Sequence, residues 1–573
     1  MEKRLLIAFA LSFAIILGWR YIMEKTMPPP PPKTDPAATI KKEEVPAKPP
    51  VPAALNPVVP RPAKAKQAAA EKQFEVETDL YKIVLSNREA VAHSWILKKY
   101  TDSNQAPLDL IDAKLGAVYG YPLGIRVPKD EKSSQTLGNA LFQGNGSEKI
   151  KLAGKEDASL EFEFSDRTLR VWKKITFTAG SYLVQTDCKV WLNGQPADYL
   201  LLWRAGFGDR SANPQTAIHE SVYRSEGSMN RLRADKVRKK VQSQLDEASK
   251  ANQPPRNDLE FSGRIEYAGL NDQYFAAMFL PAGSEPIRSF LVSEDVRKKE
   301  DGKEEILLKA AVGASGSDMS GFRIFVGPKD TEVLKKAGFN LVELIDYGWF
   351  KFFCQPMFLT LKWLYSFSKN YGVAIILLTT LISIALLPLR WKSMHSAQKM
   401  QKLQPQMKAI QEKYKKLKAT DPKKQQMNQE VMALYKEHGV NPLGGCLPLV
   451  IQLPFFYAIY NLLSVAIELR QAPFIWWIKD LSVFDHTYVL PILFTASMIA
   501  IQKMTPTPSS DPIQAKMMMA MPLVFGFMLS ATPSGLVLYW LTSNLVGVVQ
   551  QLFMNRYGPG AQEKKKEVKK KGR

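Results

Sequence analysis

The sequence predicts a mixed fold: a polytopic α-helical membrane bundle of five helices plus an N-terminal signal anchor, with a β-sandwich domain and a helical hairpin attached. Three observations lead there. Long apolar runs crowd the last third of the 573 residues, short alternating runs fill the middle, and a seam of apolar residues spaced three and four apart lies between two of the long runs. Averages conceal the pattern, because 46% hydrophobic residues and a mean hydropathy of −0.18 describe an ordinary soluble chain. The formal charge of +22 fits either a nucleic-acid partner or a membrane-topology signal, and only its distribution separates them.

The elements follow in order. Met1 to Arg4 is basic and Leu5 to Trp19 is apolar, with no small-x-small cleavage site before Met27, so residues 1–23 read as an uncleaved signal anchor. Residues 24–71 are rich in proline and alanine, a composition that cannot bury a core and forms a tether. Across 72–335 the period becomes two. Leu160, Phe162 and Phe164 alternate with charges, Tyr182, Val184, Thr186, Cys188 and Val190 share one face, and Asn193-Gly194 supplies a turn. Arg231 to Lys250 is a charged insert expected to be helical. Leu341 to Ser368 is apolar, aromatic and interrupted, and Trp349, Lys351, Phe352, Phe353 and Trp363 suit an amphipathic interfacial helix, bounded at 341–354, leading into a transmembrane helix over 355–390 whose apolar run is Tyr371 to Leu389.

Residues 391–441 form the hairpin. Met400, Leu403, Met407 and Ile410 step by three and four, Asp421-Pro422 starts a second helix, and Gly439 ends it. Four apolar runs follow at 443–467, 487–502, 517–531 and 535–554. At about 1.5 Å per residue, the first of them reaches about 37 Å, enough for a hydrocarbon core of about 30 Å.

Charge sets the orientation. Residues 391–441 hold 11 lysines against four acids, whereas 468–486 holds two basic and three acidic residues, so the hairpin is expected in the cytoplasm. The tail 556–573 carries Lys564, Lys565, Lys566, Lys569, Lys570 and Lys571, and belongs on the same side. That density also suits ribosomal RNA or anionic lipid.

Catalysis has no visible seat. The five histidines are isolated, no CxxC, HExxH, GxSxG or glycine-rich phosphate loop occurs, and no cofactor, metal or small-molecule substrate is expected. Instead, polar residues interrupt the apolar runs: Thr379, Ser383 and Arg390 fall four and seven apart on one face, and Gln452, Asn461, Ser543 and Asn544 mark other helices. Such residues either line a polar groove or glue helices together. A groove would have a use. A charge at the bilayer centre costs about 2.5 to 3.5 kcal/mol on insertion scales, so a hydrated path lowers the barrier to moving a polar-flanked segment across.

The segments Met432 to Phe456, ELRQAPFIWWIKDLS (Glu468 to Ser482), LPILFTASMIAIQKM (Leu490 to Met504), PSGLVLYW (Pro533 to Trp540) and SNLVGVVQQ (Ser543 to Gln551) closely resemble the YidC-type membrane protein insertases. DYGWFKFFCQP (Asp346 to Pro356) and NDQYFAAMFLP (Asn271 to Pro281) resemble the Gram-negative form. The resemblance implies a periplasmic β-supersandwich related to sugar mutarotases. It also implies an inner-membrane location with both termini cytoplasmic, and insertion of nascent membrane proteins beside or apart from the Sec translocon. The family's groove threonine matches Thr379 and its groove tyrosine falls on Trp540. Alignment on Gly372 and Pro388 puts Ser383 where the family has a groove arginine, and Arg390, seven residues on, is the expected substitute cation. The competing readings are a transporter or channel, and a membrane-anchored sugar-binding or epimerase-like protein. The chain shows no intramembrane acid for ion coupling and no acid/base pair.

Overall fold

Period-two sequence folds here into two facing sheets. The computed structural model describes residues 65–557 apart from 129, 210–218, 284, 300, 301, 303, 315–320, 349, 350, 415–422, 440–446 and 505–511, and it leaves undescribed the side chains at 397, 401, 411, 423–425, 428, 447–453 and 512–518. The signal anchor, most of the tether, Cys446 and the lysine tail therefore lie outside the described residues.

The smaller sheet holds β1 (Gln73–Glu77), β2 (Tyr81–Ser86), β3 (Val91–Thr101), β4 (Pro107–Asp109) and β5 (Lys149–Lys151) in the order β4-β3-β2-β1-β5. The larger contains β6 (Asp157–Ser165), β7 (Leu169–Thr178), β8 (Leu183–Leu192), β9 (Tyr199–Trp203), β10 (Asp258–Asn271), β11 (Phe275–Pro281), β12 (Ile287–Lys298), β13 (Glu304–Ala314) and β14 (Phe322–Pro328). Its spatial order is β9-β13-β12-β10-β11-β14-β8-β7-β6, extended by short strands at both ends. Along β8, Val184, Thr186, Cys188 and Val190 are buried, as the alternation requires. Asn193 and Gly194 both take positive φ in the turn that follows. The sheets meet through Phe74 edge-on to Phe162 at 5.3 Å and Trp95 against Trp203 at 6.1 Å. The charged insert forms the helix α1 (Ala234–Lys250), which buries Val237 and Val241.

Beyond Pro328 the chain is helical: α2 (Lys351–Ser368), α3 (Tyr371–Ala385), α4 (Leu387–Lys413), α5 (Lys423–Glu437), α6 (Leu447–Val465), α7 (Val489–Met504), α8 (Pro512–Leu529) and α9 (Ser534–Tyr557). Two boundaries differ from the sequence expectation. The amphipathic helix does not span 341–354. Residues Leu341–Leu344 make a single 3-10 turn whose leucines sit in the core, and the amphipathic helix is α2, which exposes Phe352, Leu359, Trp363 and Phe367 along one face. Nor is 355–390 one helix. Lys369 adopts positive φ and the Asn370 side chain accepts from the Val373 N–H, a stop and a fresh N-cap. Pro388, which has no N–H for the Ile384 carbonyl, follows the second break, where α3 and the first part of α4 meet at 59°.

The hairpin seam forms as spaced. Met400, Leu403 and Met407 are buried with Tyr435, while Ile410 is only half-buried. The Tyr435 hydroxyl reaches the Met407 sulfur at 3.1 Å and the Tyr414 hydroxyl donates to Glu430 at 2.7 Å, which makes the two helices antiparallel. Among the described residues, one helix, α9, is long and apolar enough to cross a membrane alone. The bent pair of α3 with the start of α4 makes a second if counted as one span.

Candidate functional site

The helices turn an unusual face outward. Helix α3 exposes Val373, Leu377, Leu381 and Ile384 and buries Thr379 and Ser383, the reverse of what a water-facing helix does. Helix α9 repeats it, exposing Leu545, Val549 and Leu552 while burying Thr542, Ser543 and Gln551.

One glutamine of α9 joins the start of α4 to the backbone of α3. Arg390, at the start of α4, donates from Nη1 to the Gln550 amide oxygen at 3.1 Å, and the Gln550 amide nitrogen donates to the Ser383 carbonyl at 3.2 Å. On the same helix Gly547 lets α7 come close: a Cβ there would stand 2.7 Å from the Ile501 side chain. Ser383 and Arg390 are thus brought together, through a residue that sequence reasoning did not single out. The signal was present only as an amide closing the SNLVGVVQQ run.

The other expected groove residues divide. Thr379 donates to its own helix at the Ile375 carbonyl, 2.6 Å away. Asn544 donates to the Ser497 hydroxyl at 3.1 Å and joins α9 to α7. Asn461 donates to the Tyr347 carbonyl at 3.2 Å, at the exit of the β domain and away from the Arg390 cluster. Trp540 stacks on Phe456 with ring centres 4.8 Å apart and planes 3° apart, linking α9 to α6. Ser543 is buried on α9, and the Gln452 side chain lies outside the described residues, as do Lys564, Lys565, Lys566, Lys569, Lys570 and Lys571.

At the other end of the helices Glu468 and Lys362 pair at 3.4 Å. Burial pushes the Glu468 carboxyl above its ordinary range, and the ammonium opposes that shift.

Residues 73–360 match the family described as the YidC periplasmic domain, and 363–562 match the 60Kd inner membrane protein family. A curated membrane protein insertase YidC from Syntrophus aciditrophicus (strain SB) is 35% identical over 97% of this chain and 100% of its own length. The chain belongs to the YidC family of membrane protein insertases. A second YidC insertase, from Geotalea daltonii (strain DSM 22248 / JCM 15807 / FRC-32), is 33% identical over 98% of this chain and all of its own. A crystal structure of an active YidC insertase with its first transmembrane domain resolved is 19% identical and covers 85% of this chain and 93% of its own, with a TM-score of 0.35. As a YidC, the chain is an inner-membrane protein whose β-sheet domain is periplasmic and whose C-terminal region is helical. Its clients are nascent membrane proteins, and the family's work is insertion rather than enzymatic turnover.

Proposed function

We propose that this YidC moves client transmembrane segments into the inner membrane along a polar path between α3 and α9, and that Arg390, Gln550 and Ser383 form its inner mouth. The observation that carries this is the burial of Thr379, Ser383, Thr542 and Ser543 on helices whose opposite faces are apolar and exposed. A polar flank of a client trades water for these groups and the Arg390 charge, while its apolar residues leave sideways into lipid. The step is transfer between solvents, so no covalent chemistry is required.

In this reading the signal anchor and five bundle helices cross the membrane, and the hairpin and both termini lie in the cytoplasm. The short helices α7 and α8 would thin the bilayer locally and shorten the polar path. The lysine tail reaches the ribosome and the Sec translocon works alongside. Reconstitution tests the core claim. Proteoliposomes containing the chain should protect a single-span client from added protease, and equal protection in empty liposomes would overturn it. Deleting residues 564–573 should weaken co-sedimentation with translating ribosomes at low salt, and an unchanged binding curve would leave the tail as a topology signal.

A further inference from the structure

The Asn271–Phe275 segment, NDQYF, is not used by the polar path, yet it is where the β domain grips the helices. Asp272 accepts the backbone N–H groups of Tyr274 at 2.7 Å, Phe275 at 2.5 Å and Asp209 at 2.8 Å. This holds the 206–209 loop in place. Gly208 has φ +108, and a Cβ there would lie 2.1 Å from the Asp272 carboxylate, so the close approach needs glycine.

So placed, Asp209 receives Arg470. The Arg470 Nε and Nη2 lie 3.1 and 2.5 Å from one carboxylate oxygen of Asp209, and the two side chains retain 6% and 3% exposure. The guanidinium also lies over the Phe275 ring at 5.5 Å and donates to the Thr101 carbonyl. Gln471 adds amide contacts to the Thr101 and Asp102 carbonyls at 2.9 Å each. Gln273 donates to the Ser464 carbonyl at 2.7 Å. Ser464 is the penultimate residue of α6, so its carbonyl is one of those that a helix C-terminus leaves without an intrahelical donor. The β domain thereby supplies a cap to a bundle helix.

The loop that carries Arg470 also holds two other helix ends. Asp485 accepts the Leu490 N–H at the start of α7. The Val483 carbonyl accepts the Ser534 N–H and hydroxyl at the start of α9, at 2.7 and 2.8 Å. We infer that Arg470 is a positioning residue for insertion: seated on Asp209, it lets the β domain fix the outer ends of α6, α7 and α9 together, and with them the spacing of the polar path. This rests on the insertion function proposed above and assigns the periplasmic domain a bracing role in it.

The test uses the full chain in proteoliposomes. Arg470→Ala and Asp209→Asn should each lower client protection about tenfold relative to the parent, with the protein still present in the membrane. Joining Gln273→Cys to Ser464→Cys with a short bismaleimide in the Arg470→Ala background should restore most of the loss, since the tether replaces the seat without replacing the charge. Cross-linking yield between those cysteines before any assay should fall when Arg470 is removed, a readout independent of insertion. An inactive parent would overturn the insertion function itself. An active parent with unchanged variants, or tethered variants that stay inactive, would overturn the positioning role alone. Should Arg470→Ala fail to accumulate, the near-isosteric Asp209→Asn decides by the same two outcomes.

Discussion

The Arg390 guanidinium donates to the Gln550 amide oxygen although 160 residues separate them in the chain. Because the same amide donates to the Ser383 carbonyl, one glutamine holds the cation against α3, where the proposed path has its inner end. A hydrogen bond to a charged group contributes about 1.5 to 3 kcal/mol, so the arrangement is well defined.

Arg390→Ala should therefore lower insertion of clients with acidic translocated tails about tenfold, equivalent to about 1.4 kcal/mol, and leave neutral clients unaffected. Ser383→Arg in that background should recover the acidic clients. Gln550→Glu should reproduce the Arg390→Ala defect by pairing with the guanidinium and cancelling its charge. Protease protection of matched acidic and neutral tails measures all three, and equal insertion by Arg390→Ala and the parent would leave hydration alone as the path's device.

Topology gives a second expectation. In a background with Cys188, Cys354 and Cys446 replaced by serine, single cysteines at Ser509 and Thr487 should react with an impermeant maleimide from opposite sides of the membrane. Labelling of both from the periplasm would make the α7–α8 segment a re-entrant hairpin.

The Phe456 and Trp540 rings stack almost parallel, and such a pair is worth about 0.5 to 1.5 kcal/mol beyond its buried area. Trp540→Ala loses the packing of the whole indole as well as the stack and should lower the thermal midpoint in detergent, while Trp540→Tyr keeps a ring on Phe456 and should lose less. Equal midpoints for the two variants would remove the stack as the cause.

Lys173 is buried in the β domain, where its ammonium donates to the carbonyls of Ala90 at 2.8 Å and Leu123 at 2.6 Å. Burial pulls its pKa down to about 8. Between that value and the ordinary lysine range, the unfolded chain holds a proton that the folded chain has released, so stability rises with pH across this window. Burial likewise pulls Lys329 down to about 8, so the unfolding free energy should climb from pH 7.5 to 9.5 with each lysine adding at most about 1.4 kcal/mol per pH unit, and Lys173→Met should lessen that climb without abolishing it. A parent curve that is level or falling would contradict the assignment.

Local pattern carried the sequence reading a long way. The alternation at Val184, Thr186, Cys188 and Val190 and the seam at Met400, Leu403 and Met407 both reappear as buried faces, because each is a repeat within one element. The pairings between distant parts of the chain are another matter. Gln550 reaches Ser383 across 167 positions and Arg470 reaches Asp209 across 261, and no local period records which amide or cation a distant helix will meet. The break before α3 lies in SFSKNY (Ser366 to Tyr371), a polar interruption that the expected 355–390 helix passed over, although the apolar run itself begins at Tyr371; Lys369 takes positive φ and Asn370 caps the new helix. Thr379 and Asn544 show the limit of polarity as a guide, since both are satisfied by bonds to helix partners.

Helix α9, against which α3 and α7 lay their polar sides, is also the last of the described helices to leave the ribosome. Roughly 150 residues separate the end of α3 from its start, which at about 5 to 20 residues per second is about 8 to 30 seconds of synthesis. During that interval Thr379 and Ser383 have no α9 to cover them, and the burial of the polar side of α3 waits on the completion of the chain.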